Sequence, residues 1–238
     1  MTNYIGFITL IRRETEKMFR VVIQTLVTPW LSALLYIFVF GYVIGQRIDT
    51  IAGVSYIDFV LPGIVMMNVL TASFAHTSSS LFPARYFKSI QEVLVAPLSY
   101  LEMMTAYMIG GMIRGIIAGL LVFVTAVFFS AANVEHFFLL LFYIIFVSAI
   151  FSLLGIIVGL WSKSFEQISI FPTFVITPLI FLGGVFYSLE LLPEKLQTIA
   201  QWNPFFYFVD GMRFAMIGIR EGSAMVGYVL IITLVVFL

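Results

Sequence analysis

The feature that most limits how this chain can fold is a series of apolar segments, most of them long enough to cross a lipid bilayer. They cover roughly residues 21–45, 57–83, 102–130, 137–161, 168–187 and 223–238. A membrane-spanning helix needs about 20 mostly apolar residues, and hydrocarbon satisfies only backbones that are helical or in closed barrels. Barrel strands alternate polar and apolar residues, and these segments do not. The sequence therefore predicts an all-α integral membrane protein with six transmembrane helices in one domain, residues 1–238.

Charged residues are too scarce for a soluble protein of this length. They make up 10% of the 238 residues, whereas soluble domains carry about 25%. A net charge of zero provides no basic surface for nucleic acid. The absence of cysteine excludes disulfides, thiolate metal sites and a cysteine nucleophile. The lipid bilayer is therefore the solvent that suits this composition.

Motifs for catalysis and for nucleotide binding are absent from the sequence. Only two histidines occur, His76 and His136, and no motif pairs them for a metal. The chain has neither a G-x-S-x-G elbow nor a G-x-x-x-x-G-K-[ST] phosphate loop. We therefore expect a protein that is not an enzyme, holds no cofactor and does not bind ATP itself.

The distribution of lysine and arginine predicts a cytoplasmic N-terminus. In that orientation the cytoplasmic basic residues are Arg12, Arg13, Lys17, Arg20, Arg85, Lys88 and Lys163. The basic residues outside are Arg47, Lys195, Arg213 and Arg220. The last apolar segment is short and no lysine or arginine follows it, so we expect the natural C-terminus to lie beyond Leu238. The alternative is a final helix that ends inside the bilayer.

Two amphipathic helices are predicted on the cytoplasmic side. Residues 1–20 predict a helix that lies in the membrane interface. Its apolar residues recur at helical spacing, and they are Tyr4, Phe7, Ile8, Ile11 and Met18. Residues 84–100 predict a second short helix, with Arg85, Lys88 and Glu92 on one side and Pro97 at its end.

The predicted outer segment at residues 188–222 is too apolar for a solvated loop and too interrupted for a membrane span. Pro193 suits the first turn of a helix, and the pair Asn203-Pro204 would end that helix. A second helical piece would begin at Phe205. We expect a re-entrant or interface-lying helical hairpin on the extracytoplasmic side. A structural salt-bridge set is expected from Glu190, Glu194, Asp210 and Arg213.

Arg114 lies in the middle of the third apolar segment. A charge at that depth costs at least about 2.5–3.5 kcal/mol unless it faces protein or water. Two interpretations stay open: a structural arginine that caps carbonyls or pairs with an acid, and a substrate-path residue that attracts an anionic headgroup. The surrounding G-x-x-x-G spacing predicts close helix packing at Gly111, Gly115 and Gly119.

The second apolar segment carries an unusual number of polar residues. Asn68, His76 and the pair Ser79 and Ser80 share roughly one helical face. That face indicates either the lining of a cavity or hydrogen bonding between helices. In the fifth segment, Pro172 and Pro178 predict kinks, which would serve a gate or only packing.

Four sequence motifs accompany this order of helices. They are FLGGVFYSLELLP at 181–193 with NP at 203–204 and DGMR at 210–213, EVLVAP at 92–97, FVLPGI at 59–64, and IFPTFVITP at 170–178. Together with the helix order they resemble the ABC-2 type permeases of ABC exporters over nearly the whole chain. The first is similar to the C-terminal signature of that family and the second to its cytoplasmic-loop motif. The last two resemble the YadH-type branch.

The resemblance implies partners and roles that the composition does not show. Two permease copies, a homodimer, would assemble with two copies of a separate ATPase subunit that binds the ATP and Mg. The helix near 84–97 would be the coupling helix, and the N-terminal helix would touch the ATPase and gate lateral access from the inner leaflet. The residues expected in ATPase coupling are Arg12, Arg13, Lys17, Arg85, Lys88 and Glu92. Candidates for a substrate path or gate are Asn68, His76, Arg114, Pro172, Pro178, Phe186 and Tyr187.

We therefore expect the permease subunit of an ATP-driven exporter in the bacterial cytoplasmic (inner) membrane. It would move an amphipathic or lipid-like substrate out of the cytoplasm or the inner leaflet. One alternative is a stand-alone secondary transporter, which would need intramembrane acids for ion coupling. Another is a membrane scaffold with no transport role. Lipids, glycolipids, lipid-linked glycans and hydrophobic drugs all suit the apolar segments equally as substrates.

Overall fold

The structure, a computed structural model, describes residues 3–45, 47–48, 50–129 and 134–237, with side chains as far as Leu234. Helices α1 to α10 are, in chain order, Tyr4–Arg20, Ile23–Ile44, Tyr56–Tyr86, Ile90–Leu94, Tyr100–Phe129, Phe137–Trp161, Phe165–Leu182, Glu194–Trp202, Pro204–Ile217 and Ala224–Phe237. An antiparallel hairpin of strands β1 (Thr50–Ile51) and β2 (Val54–Ser55) joins α2 to α3. The predicted helix end at residue 130 and the prediction about Leu238 lie outside the described residues.

Five helices within the described ranges are long and apolar enough to cross a membrane: α2, α3, α5, α6 and α7. They correspond to the first five predicted segments, so the prediction of an all-α membrane protein is confirmed. The sixth predicted segment corresponds to α10, of which 14 residues are described. At about 1.5 Å per residue, these residues measure about 21 Å, which is shorter than the hydrocarbon core of about 30 Å.

Helix boundaries follow from capping residues. The side chain of Ser55 accepts a hydrogen bond from the Asp58 amide at 3.3 Å and begins α3. Asn203 accepts from the Phe205 amide at 3.0 Å and begins α9, with a proline at the first helical position. Gly218 ends α9 in the left-handed conformation, at φ +71°.

The long helix α3 lies at the centre of the fold and packs against α5 and α6. Its most apolar stretch is 78% buried. Glycines permit this packing: a Cβ added at Gly115 would collide with Ser73 of α3, and one at Gly111 would collide with Thr77 of α3 and Ser152 of α6. The predicted role of the G-x-x-x-G spacing in close helix approach is therefore confirmed.

Helices α2 and α7 lie at the periphery, and only 11% of the most apolar stretch of each is buried. Both contain π-helical turns, at Ile23–Val27 and Ile37–Ile44 in α2 and at Pro172–Ile176 in α7. Pro172 begins the turn in α7, and Thr177 Oγ1 donates to the Pro172 carbonyl at 2.9 Å. A wider helical turn thus accommodates a proline that cannot donate to the regular hydrogen-bond ladder.

Residues 188–222, for which a helical hairpin is expected, contain two helices, α8 and α9, that meet at Asn203. A 3-10 turn at Leu189–Leu191 precedes α8. The two helices differ in burial: Trp202 of α8 is 85% exposed, whereas nearly every residue of α9 is buried. The sequence thus predicted the break between the helices, and the apolar residues of α9 pack against α3 and α6.

The segment 84–100, which is predicted to be cytoplasmic, is not a single amphipathic helix. Helix α3 continues to Tyr86, and the chain then turns at Lys88, where φ is +60°. Only the five residues of α4 are helical between that turn and the start of α5. Because α3 is anchored along its whole length by α5 and α6, it extends further than its apolar pattern indicated.

Candidate functional site

A carboxylate with no solvent exposure lies at the centre of a polar cluster between α1, α3 and α5. The side chain of Glu14 is 0% exposed, and Lys17 Nζ lies 2.6 Å from its Oε1. Lys17 also donates to Ser80 Oγ at 2.8 Å, and Ser80 donates to Glu14 Oε2. His76 Nε2 lies 3.8 Å from Glu14 Oε2. These four residues and Arg114 are called the Glu14 cluster below.

Glu14 is buried because it shares one face of α1 with two apolar residues. Leu10, Glu14 and Met18 recur every four residues and are all buried. A glycine on α5 leaves room for the carboxylate: a Cβ added at Gly110 would lie 2.8 Å from Glu14 Cβ and 3.1 Å from His76 Nε2. The contact between α1 and the other two helices therefore depends on the absence of a side chain at Gly110.

The predicted apolar residues of α1 lie on more than one face of the helix. Tyr4 and Ile8 are 72% and 43% exposed, whereas Met18 is buried. The helix has three faces: a buried stripe that contains Glu14, an exposed apolar face, and a charged face where Arg12 pairs with Glu16 at 2.8 Å. A helix with an exposed apolar face beside a charged face can still lie at a membrane surface.

A cavity of about 160 Å³ adjoins the Glu14 cluster where α2 begins. It is lined by Lys17, Met18, Val21, Thr25, His76, Ser79, Ser80 and Arg114. Arg114 Nε and His76 Nε2 are buried without a hydrogen-bond partner. Within the described ranges, neither the carbonyl cap nor the acid expected of a structural Arg114 is found.

A second cavity, of about 190 Å³, lies between α2, α3 and α7. Its lining includes Ser32, Tyr36, Met67, Asn68, Thr71, Thr177, Ile180 and Phe181. Asn68 donates to the Ile64 carbonyl at 2.9 Å, so its amide also satisfies its own helix. The predicted path residues Asn68 and His76 therefore lie in different cavities, although they share a helix.

Aromatic rings border the second cavity. The ring of Phe186 stacks on Phe40 at 4.1 Å and also contacts Tyr36 and Phe181, which line that cavity. The Phe186 carbonyl accepts a hydrogen bond from Tyr56 Oη at 3.0 Å. Its neighbour Tyr187 is half-buried, and Pro178 stands next to Thr177 in the stretch of α7 that lines the cavity.

The residues expected to couple to an ATPase differ in exposure. Lys88 and Glu92 are exposed beside Phe87, which is exposed as well. Arg85 instead donates to the Ser162 carbonyl at the end of α6, so it holds two helices together. Arg13 of α1 is half-buried. The loop thus presents apolar and charged side chains together.

A second charged cluster lies at α9 and the loop after it. Arg213 is fully buried, donates to the Gly184 carbonyl at 2.6 Å and lies 3.8 Å from Glu221. Asp210 accepts from the Glu221 amide at 2.7 Å and lies 3.9 Å from Arg220. We call Asp210, Arg213, Arg220 and Glu221 the Asp210 cluster. The expected salt-bridge set is thus formed by Glu221 and Arg220 in place of Glu190 and Glu194.

Sequence reasoning missed Glu14, although a signal for it was present. Glu14 stands four residues after Leu10 and four before Met18, so a helix with either of these residues buried also buries Glu14. The charged residues singled out on α1 were those on its outer side. Glu14 was missed because the predicted apolar pattern included Met18 but did not separate the stripe of Leu10 and Met18 from the other apolar residues of α1.

Comparisons with known proteins agree over most of the chain. A family model described as ABC-2 type transporter matches residues 6–217. The chain is 38% identical to the inner membrane transport permease YadH of Escherichia coli (strain K12) over 94% of this chain and 88% of that protein. It is 26% identical to nodulation protein J of Rhizobium leguminosarum bv. viciae, over 77% of this chain and 71% of the relative. Nodulation protein J of Rhizobium meliloti (strain 1021) is 24% identical, over 90% and 82%.

Proposed function

Because the chain belongs to the ABC-2 type transporter family, we propose that it is the permease subunit of an ATP-driven exporter. It is a multi-pass protein of the bacterial inner membrane, as its relative is. It would move an amphipathic or lipid-like substrate out of the cytoplasm or the inner leaflet. A separate ATPase subunit would bind ATP and Mg. The observation that carries the proposal is the family match over residues 6–217.

The proposed topology has six membrane-spanning helices with both ends of the chain in the cytoplasm. Five of these helices are α2, α3, α5, α6 and α7, and α10 would be the sixth. The excess of lysine and arginine in the loops assigned to the cytoplasm supports this orientation. In this arrangement α8 and α9 form the re-entrant or interface-lying hairpin on the extracytoplasmic side.

The ATPase would dock on α1 and the loop that contains α4. Exposed apolar residues accompany the charges of this loop, and they are Tyr86, Phe87, Leu94 and Val95. Protein interfaces combine apolar anchors with a charged rim in this way. Movement transmitted from α4 would reach the Glu14 cluster directly, because the same α3 helix holds Ser80 and ends beside α4.

A second copy of the chain would cover α2 and α7. Only 11% of the most apolar stretch of each is buried, against 78% in α3. These two helices also line the second cavity together with α3. A homodimer that joins them would bring two such cavities towards its axis and would form the substrate path there.

The first experiment is co-purification with the ABC ATPase encoded nearest to this gene. We expect stoichiometric recovery of the ATPase through a tag on the permease. The double reversal Lys88→Glu/Glu92→Lys should lose the ATPase and its stimulated hydrolysis, because both side chains are exposed on the proposed docking surface.

The matched control is Glu194→Lys/Lys195→Glu, which makes the same exchange of charge at exposed positions of α8. It should retain the ATPase. A wild-type permease that purifies stable and without ATPase at any ratio would contradict the proposal. Proton-dependent or voltage-dependent transport without an ATPase would then favour the secondary transporter, and no transport at all would favour the scaffold.

A further inference from the structure

The cavity beside α1 contains more positive groups than its one carboxylate can neutralise. Lys17 and Arg114 line it with His76, and the acid that faces them in the described structure is Glu14. Both oxygens of Glu14 are already engaged, one by Lys17 and the other by Ser80. Arg114 is 9% exposed, and its Nε has no hydrogen-bond partner in the described part of the chain.

An unpaired buried arginine requires a compensating group. Removing a guanidinium from water is costly unless an anion or hydrogen-bond acceptors take the place of water. The guanidinium offers several N–H donors in a planar fork that matches phosphate oxygens. The second unpartnered donor or acceptor in the same cavity is His76 Nε2, on a side chain 4% exposed.

We propose that this cavity binds a phosphate group, with Arg114 as its principal ligand and His76 and Lys17 beside it. This inference deepens the proposed function, on which it rests, by assigning the exported molecule an anionic phosphate headgroup. The cavity of about 160 Å³ has room for such a group, since one water molecule in the liquid takes about 30 Å³.

The position of the cavity suits a headgroup that enters from the lipid. Val21 and Thr25 line it where α1 passes into α2, and Val21 is 47% exposed. The adjoining stretch of α2 is exposed and apolar, with Ile23 at 69% exposure. A phosphate at Arg114 can therefore have acyl chains that lie along this stretch of α2, in the substrate path that the proposed homodimer would form.

The test uses lipid retention by the purified full-length permease in neutral detergent. The probes are dioleoyl phosphatidic acid, dioleoylglycerol with the same chains and no phosphate, and inorganic phosphate. Wild type should retain phosphatidic acid at least about tenfold better than dioleoylglycerol, because charge-assisted hydrogen bonds contribute at that level. Arg114→Gln should lose this preference. Arg20→Gln, at an exposed arginine of the same region, should keep it.

A second measurement leaves Arg114 intact. The chain has no cysteine, so Ser79→Cys places a single thiol in the cavity lining. Phosphatidic acid should slow its reaction with a water-soluble maleimide, and dioleoylglycerol should not. A thiol at Thr9→Cys, exposed on another part of α1, should react at an unchanged rate. Protection by inorganic phosphate alone would assign a site for free phosphate, and protection by the lipid only would assign a headgroup site.

Equal retention of phosphatidic acid and dioleoylglycerol, or equal retention by wild type and a folded Arg114→Gln, would overturn the proposal. A labelling rate of Ser79→Cys that does not change when phosphatidic acid is added would also overturn it. None of these measurements contains an ATPase. A permease that binds phosphatidic acid but never captures an ATPase would therefore refute the exporter and leave the phosphate site standing, and the reverse result would refute only the site.

Discussion

The two buried charged clusters of this molecule differ in their balance of charge. The Asp210 cluster contains two carboxylates and two arginines, with Arg213 held by backbone carbonyls and by the ring of Phe59 at 3.7 Å. The Glu14 cluster has one carboxylate for two cations, Lys17 and Arg114, with His76 beside them. Both clusters join helices that are distant in sequence, and residues of the second line a cavity of about 160 Å³.

The difference indicates two uses of buried charge. A cluster with balanced charges fixes one arrangement, because breaking any pair leaves a buried charge without compensation. The Asp210 cluster fixes α9 against α3 and the loop before α8 in this way. An unbalanced cluster is stable only when another group supplies the missing charge. We therefore expect the Glu14 cluster to respond to an anionic ligand or to a movement of α1.

Removing Arg213 should have the largest effect on stability. Arg213→Met deletes the hydrogen bonds to the Gly184 and Phe59 carbonyls and leaves Glu221 buried beside an apolar side chain. Breaking a buried pair in this way costs about 3–5 kcal/mol. We expect the variant to be lost or aggregated in fluorescence-detected size-exclusion chromatography of detergent extracts.

The matched control for that prediction is Lys195→Met, which removes an exposed cation from α8. It should elute as wild type does. A monodisperse Arg213→Met with an unchanged thermal midpoint would mean that the Asp210 cluster does not anchor α9, and the contrast between the two clusters would fail.

Neutralising Glu14 should have an intermediate effect. Glu14→Gln keeps the shape of the side chain but removes its charge-assisted bond to Lys17, and such bonds contribute about 1.5–3 kcal/mol. The thermal midpoint in detergent should fall. Retention of phosphatidic acid should rise in the same variant, because the carboxylate that repels a phosphate in this cavity is gone.

Glu16→Gln is the matched control, since it makes the same change on the same helix at a position that pairs with Arg12 at the surface. Exposed pairs contribute about 0–1 kcal/mol, so its midpoint should stay near that of wild type. Equal losses in the two variants would place Glu14 in an environment no different from the surface of α1.

Much of the fold could be predicted because the lengths of the apolar segments determine where the membrane-spanning helices lie. The segments for α2, α3, α5, α6 and α7, and the break at Asn203-Pro204, follow from apolar runs and proline chemistry alone. The family could be predicted from the same features together with its motifs.

The candidate site could be predicted only in part. Arg114 and His76 stand out because polar residues inside an apolar run are rare. Their relation to Glu14 depends on which face of α1 meets α5, and the several apolar residues of α1 allowed two faces. The interruption of the helix predicted in residues 84–100 was also not predicted, since contact with the end of α6 accompanies an α3 that extends to Tyr86. Tertiary contacts, rather than local sequence, decided both points.

Replacing Arg114 should have a smaller effect on stability than replacing Arg213 or Glu14. Arg114→Met removes a buried charge whose Nε has no hydrogen-bond partner in the described structure, so no paired group is left behind. Its free energy of unfolding should stay within about 1 kcal/mol of the wild-type value or rise. Transport by the assembled exporter should nevertheless fall, because the side chain that binds the phosphate group is gone. The same substitution would thus be severe at Arg213 and mild at Arg114, although both arginines are buried. A destabilisation of Arg114→Met as large as that of Arg213→Met would show that Arg114 has a structural partner, and that the Glu14 cluster is balanced in the membrane.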